Sequence, residues 1–163
     1  MLVRVWTFLT VMLTALSLGA AIGHLLELPA KISFEGPVWL RLQQTLYGPG
    51  FGTFGAVFEV GAVVTTVVLA FLLRHHSPTF GWVLLAALCM VATHASFWIW
   101  LAPANATIAA LTPETPPANW MALRTLWEYT HAARAILQAI ALGALVYSIL
   151  VVSSIGISRE SAT

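Results

Sequence analysis

His24 and Glu27 stand three residues apart in one apolar run, and Glu128 and His131 stand three apart in another. On a helix that spacing puts both members of a pair on one face. Glu59 and His94 sit alone in two further apolar runs, while Arg124 and Arg134 flank the Glu128–His131 pair at about one helical turn. An ionised side chain at the centre of a membrane helix costs about 2.5–3.5 kcal/mol even on insertion scales, and such a residue is functional by default. Imidazole and carboxylate suit Fe, Cu, Zn or Mn, and soft sulfur donors are missing from the set. Glu-x-x-His is the repeating unit of di-metal carboxylate bundles, where lone glutamates on facing helices complete the site. E-Y-T-H (Glu128 to His131) matches that unit, H-L-L-E (His24 to Glu27) reverses it, Glu59 supplies a lone carboxylate, and His94 stands where a second unit would fall. The expected site is therefore a transition-metal centre held by His24, Glu27, Glu59, His94, Glu128 and His131, with one metal or two left open.

A plainer reading stands beside this one. Glu27 and Lys31 at i,i+4, and Arg124 and Glu128 at the same spacing, could be helix-surface ion pairs worth about 0.3–0.5 kcal/mol each. On the metal reading, Arg124 instead orients Glu128 from behind. His94 lies between V-A-T and A-S-F-W with no charge beside it in sequence, so it resists the plain reading. His75 and His76 fall in a short polar connection and read as solvated.

The elements that must position these residues follow from composition. The 163 residues are 60% hydrophobic and 8% charged, with a mean hydropathy of +0.89. Soluble domains carry roughly 25% charged residues, so the chain reads as one integral membrane domain, and a net charge of +1 gives no reason to expect nucleic acid. Cys89 is the single cysteine, which excludes an internal disulfide and C-x-x-C redox chemistry. Four apolar runs, about 5–28, 51–73, 79–101 and 131–153, can each cross about 30 Å of hydrocarbon as a helix. The first run could also be read as a signal peptide, but its length favours a retained span. Helix is the backbone form that satisfies its own polar groups in lipid. The expected fold is an all-α antiparallel four-helix bundle.

Pro29 is expected to stop the first helix, and G-P-G (Gly48 to Gly50) to precede the second. Between them, Pro37 to Tyr47 predicts a short interfacial helix with Trp39 and Tyr47 at the membrane surface. The connection from Ala102 to Pro116 is expected to be irregular, with the last helix starting near Pro117. Gly19 and Gly23 form G-x-x-x-G, a spacing for close helix packing. Trp98, Trp100, Trp120 and Trp127 read as interface anchors or an aromatic wall. The arginines in short flanks, Arg4, Arg74 and Arg159, favour cytoplasmic termini. Successive spans run in opposite directions, so His24, Glu59, His94 and His131 are expected at one depth, in the outer third of the membrane.

The segments P-A-N (Pro103 to Asn105) and W-M-A-L-R-T-L-W-E-Y-T-H-A-A-R-A-I-L (Trp120 to Leu137) resemble the anthrone oxygenase-like family of small four-helix membrane proteins. The resemblance implies an oxygenase of polycyclic phenolic substrates, with Asn105, Trp127, His131 and Arg134 lining the site. That family is not generally described as needing a cofactor, and the His and Glu residues on all four runs depart from it.

Three functions are compatible with these residues. The first is a membrane oxidoreductase, with an oxygenase as one form of it, that takes a small apolar or aromatic substrate from the lipid bilayer. The second is a haem- or pigment-binding subunit of a larger membrane complex, with paired histidines as axial ligands. The third is a transporter or assembly factor using Glu59 and the histidines as a proton relay. Homo-oligomers fit any of the three.

Overall fold

A computed structural model of the chain describes residues 1–75 and 79–160, and every regular element among them is helical. The order is α1 (Leu2–Lys31), α2 (Gly36–Leu42), a π-helical stretch (Gln43–Phe51), α3 (Gly52–Leu73), α4 (Thr79–Ser96), a second π-helical stretch (Phe97–Leu101), α5 (Ala102–Ala110) and α6 (Trp120–Glu160). Four segments are long and apolar enough to cross a membrane: Leu2–Lys31, Gly52–Leu73, Thr79–Ala110 and Trp120–Val151. Their outward sides carry Phe8, Leu26, Phe54, Val57, Phe71, Leu88, Ile136 and Leu150, all exposed. A helix in water would put polar residues there, so these faces fit lipid and a multi-pass membrane protein. Thr7, Thr65 and Thr93 bond back to carbonyls four residues earlier, which satisfies hydroxyls where water is absent.

α6 packs against α1 and α4, and α3 packs against the same two helices. The core between them is made of small residues: Ala62, Ala70, Ala86, Ala87, Ala141 and Ala144, with Leu69, Val83, Met90 and Leu145 filling the gaps. Small side chains let helix backbones approach without a water-driven hydrophobic effect. A second cluster of Trp39, Leu40, Tyr47, Leu101, Ala104, Ile108 and Trp127 joins α2, the two π stretches and α5 to α6. Ser17 on α1 donates a hydrogen bond to Gln138 of α6 at 2.8 Å.

Several local expectations are corrected. Pro29 lies inside α1, which continues to Lys31. Proline removes its own N–H, but the next donors still serve, and Ile32 N–H reaches Leu28 O at 3.1 Å. The stretch after Ala102 is helical to Ala110, because Pro103 sits in the first turn and alanine follows. α6 begins at Trp120, directly after the P-P-A-N expected to open it, with Trp120 N–H on Pro117 O. The chain passes from Gln43 to Phe51 as π-helix instead of breaking at G-P-G. Gly52 closes that stretch: its N–H bonds Tyr47 O, and a Cβ there would stand 2.9 Å from the same oxygen. At Gly19 a Cβ would meet nothing within 4 Å, so G-x-x-x-G is not a close contact. The tight approach of α1 to α3 is at Gly61, where a Cβ would lie 3.3 Å from Leu13.

Candidate functional site

A cavity of about 940 Å³ collects side chains from α1, the first π stretch, α3, α4, α5 and α6. His24, Glu59, His94, His131, Asn105, Trp127 and Arg134 all line it. Among the residues expected at a site, Glu27, Arg124 and Glu128 do not. Val57 and Trp98 also line the wall and are mostly exposed, at 63% and 64%, so the cavity opens sideways between the start of α3 and the second π stretch. Both π stretches contribute to its wall, through Gln43, Gln44, Tyr47, Phe51, Phe97 and Trp98. An extra residue per turn re-aims side chains, and such insertions recur at functional sites.

The first polar group joins α3, α4 and α6. His94 Nδ1 lies 3.1 Å from Glu59 Oε1, and Arg134 donates to Glu59 Oε2. Trp98 Nε1 stands 3.0 Å from His94 Nε2. An indole N–H is only a donor, so Nε2 accepts and the ring proton sits on Nδ1, donated to Glu59. The carboxylate thereby fixes the imidazole's tautomer and orientation, and the basic nitrogen carries only an indole cap from an exposed side chain. Glu59 and Arg134 are each 7% exposed. Breaking such a buried pair at one partner typically costs about 3–5 kcal/mol.

The second group is a pair of imidazoles. The rings of His24 and His131 stack with centroids 4.1 Å apart at 34°. Trp127 packs 4.1 Å from His131, and Tyr47 and Phe51 pack 4.7 and 5.2 Å from His24. Trp127 is held in turn by its N–H bond to Asn105 Oδ1, 2.8 Å long. Rings in mutual contact leave no space for an iron atom between them, the arrangement that axial haem ligation by this pair would need.

Behind this wall lies a third group that sequence reasoning missed. Lys31 is 1% exposed, and its ammonium stands 2.9 Å from Glu128 Oε2, 3.6 Å from Glu27 Oε2 and 3.5 Å from His24 Nδ1. It also lies 4.9 Å from the ring centres of both Tyr47 and Trp127. Trp39, expected at the membrane surface, is fully buried and donates its indole N–H to Glu128 Oε1 at 2.8 Å. Glu128 draws both residues inward because a buried carboxylate needs a cation and donors. Tyr47, also expected at the surface, is 8% exposed and donates its hydroxyl to Glu27. Burial first, then that hydrogen bond, pushes the Tyr47 phenol up and keeps it a donor. Arg124 serves the backbone rather than Glu128, donating to Phe34 O at 2.6 Å. It thus closes the turn between α1 and α2. His75 is exposed, and His76 lies outside the described residues.

Glu59 is shared by His94 and Arg134, and Lys31 and Arg134 place two cations around the same wall. Among the described residues, no group of three or more His, Cys, Asp or Glu is placed to hold a metal ion. Comparison with protein-family models, curated proteins and solved structures finds no match.

Proposed function

We propose that this protein is an integral membrane oxidoreductase, an oxygenase of flat aromatic or phenolic compounds that enter its cavity sideways from lipid. On this reading the four spans form an antiparallel bundle with both termini cytoplasmic, and α2 with its π stretch covers the outer end. The observation that carries the reading is convergence. Asn105, Trp127, His131 and Arg134, the residues named by the resemblance to anthrone oxygenase-like proteins, share one cavity with His24, Glu59 and His94. Its volume of about 940 Å³ lies in the range of small-molecule sites. His94, oriented by Glu59, acts as the base and Arg134 holds the charge of the carboxylate behind it. Loss of an acidic C–H or O–H proton to His94 Nε2 leaves an electron-rich anion that O₂ oxidises. For a ring CH₂ the carbon loses two hydrogens and gains one oxygen atom, and the second oxygen leaves as water. The aromatic wall of Trp127, Phe51 and Phe97 holds the ring and excludes water from the anion.

The test is oxygen uptake by the detergent-purified protein supplied with anthrone. Wild-type protein should accelerate uptake, and His94→Ala should lose most of the acceleration. No acceleration with anthrone or other phenolic polycycles would remove the oxygenase reading.

A further inference from the structure

We propose that His24 is a second catalytic residue of this cavity, the hydrogen-bond donor to a carbonyl oxygen on the bound ring, and that Lys31 sets it in that role. The proposal rests on the oxygenase reading above. Lys31 Nζ stands 3.5 Å from His24 Nδ1. An ammonium only donates, and a ring N–H turned toward a cation would be repelled. Nδ1 therefore holds the lone pair, and the ring proton sits on Nε2. His94 is set the opposite way, with its proton on Nδ1 toward Glu59 and a basic Nε2. The two imidazoles thus bring complementary edges to one cavity, one that takes a proton and one that donates a hydrogen bond. His24 Nε2 has no partner among the described residues. The buried side-chain atoms sealed in without a partner belong to Thr14, Gln43, Glu128 and Arg134, and none to His24, so its donor is open. The ring itself is clamped: His131 and Tyr47 pack at 4.1 and 4.7 Å, and Phe51 and Trp127 meet it edge to face at 5.2 Å each. A donor held in place before the reaction needs no reorganisation during it. When His94 takes the acidic proton of a ring CH₂, the C–H electron pair moves through the ring onto the carbonyl oxygen, and the ketone becomes an enolate. The His24 hydrogen bond strengthens as that oxygen gains charge, with the Lys31 ammonium behind it, and His24 keeps its proton throughout. The substrate class is a flat cyclic ketone whose CH₂ is conjugated to its carbonyl.

The experiment measures binding, independent of turnover. Wild-type protein, His24→Phe and His24→Gln are titrated calorimetrically in detergent under nitrogen with 9-fluorenone and with fluorene, the same ring without the oxygen, against empty micelles. Wild type should bind fluorenone about tenfold more tightly than fluorene. His24→Phe should bind the two alike. His24→Gln should keep a preference, since its amide can accept from Lys31 and donate to the ligand. The infrared C=O band of fluorenone bound to wild type should lie below its position in cyclohexane, a reading that needs no variant to fold. A preference that survives in His24→Phe overturns the proposal and assigns the carbonyl to another donor. A preference lost alike in both variants overturns it in favour of ring packing. Equal binding by wild type, or an unshifted band, also overturns it. Absence of binding by either ring overturns it too, and oxygen uptake with anthrone then decides separately whether the oxygenase reading stands without His24.

Discussion

His94 Nδ1 stands 3.1 Å from Glu59 Oε1, and the other oxygen of that carboxylate is held by Arg134. Three helices therefore meet at one buried charge. Glu59→Gln should leave Arg134 buried without its counter-ion and lower stability by about 3–5 kcal/mol. Glu59→Gln/Arg134→Met should recover much of that stability without recovering activity. Thermal melting and oxygen uptake on Glu59→Gln, Arg134→Met and the double variant check this. Additive losses of stability would show that the two side chains do not act as a pair.

Lys31 and Glu128 predict a second pairing, behind the cavity wall. Lys31→Met and Glu128→Gln should each destabilise by several kcal/mol, and the double variant by less than their sum. The measurement is a double-mutant cycle of melting in detergent. A sum within about 0.5 kcal/mol of additivity would contradict the 2.9 Å ion pair.

Trp39→Phe keeps a large ring under the second cluster but deletes the N–H that reaches Glu128. A hydrogen bond to a charged group contributes about 1.5–3 kcal/mol, so the variant should melt lower by a corresponding amount. Unchanged melting would return Trp39 to the role of a surface anchor.

What could be read in the sequence was what depends on runs and periods. The four spans are visible as apolar stretches, and their isolated polar residues His24, Glu59, His94 and His131 line one cavity. What could not be read depends on the chain folding back over itself. Lys31 looked like the i+4 partner of Glu27 because nothing in sequence brings Glu128 to it from 97 residues away. Tyr47 looked like a membrane-surface aromatic because G-P-G reads as a break, and the π-helical backbone that carries it inward has no composition signal. Trp39 looked like a membrane-surface aromatic, and only its partner's buried charge distinguishes it. Glu59 and His94 were legible as unusual, but not that each would occupy the other's ligand atoms.

That mutual occupation gives a prediction about metals. Protein purified without a His-tag should carry less than one equivalent of Fe, Cu, Zn or Mn by elemental analysis, and chelator should leave oxygen uptake unchanged. One bound equivalent that disappears in both Glu59→Gln and His94→Ala would restore the His/Glu metal centre expected from residue types.

Orientation is tested by placing single cysteines at His75 and Thr112 in a Cys89→Ala background. With cytoplasmic termini, Thr112→Cys reacts with an impermeant thiol reagent in intact cells and His75→Cys does not. The reverse pattern inverts the protein in the membrane.

The central claim, that His94 oriented by Glu59 removes a proton from a ring bound in the cavity, is tested most directly without oxygen. Anthrone held anaerobically in D₂O with the purified protein exchanges its acidic CH₂ protons, and the rate is read by NMR. Wild-type protein should accelerate that exchange, and His94→Ala should lose about 10²-fold or more of the acceleration, with its helical content unchanged by circular dichroism. Exchange at the background rate with wild-type protein, or equal acceleration by His94→Ala, would contradict the account.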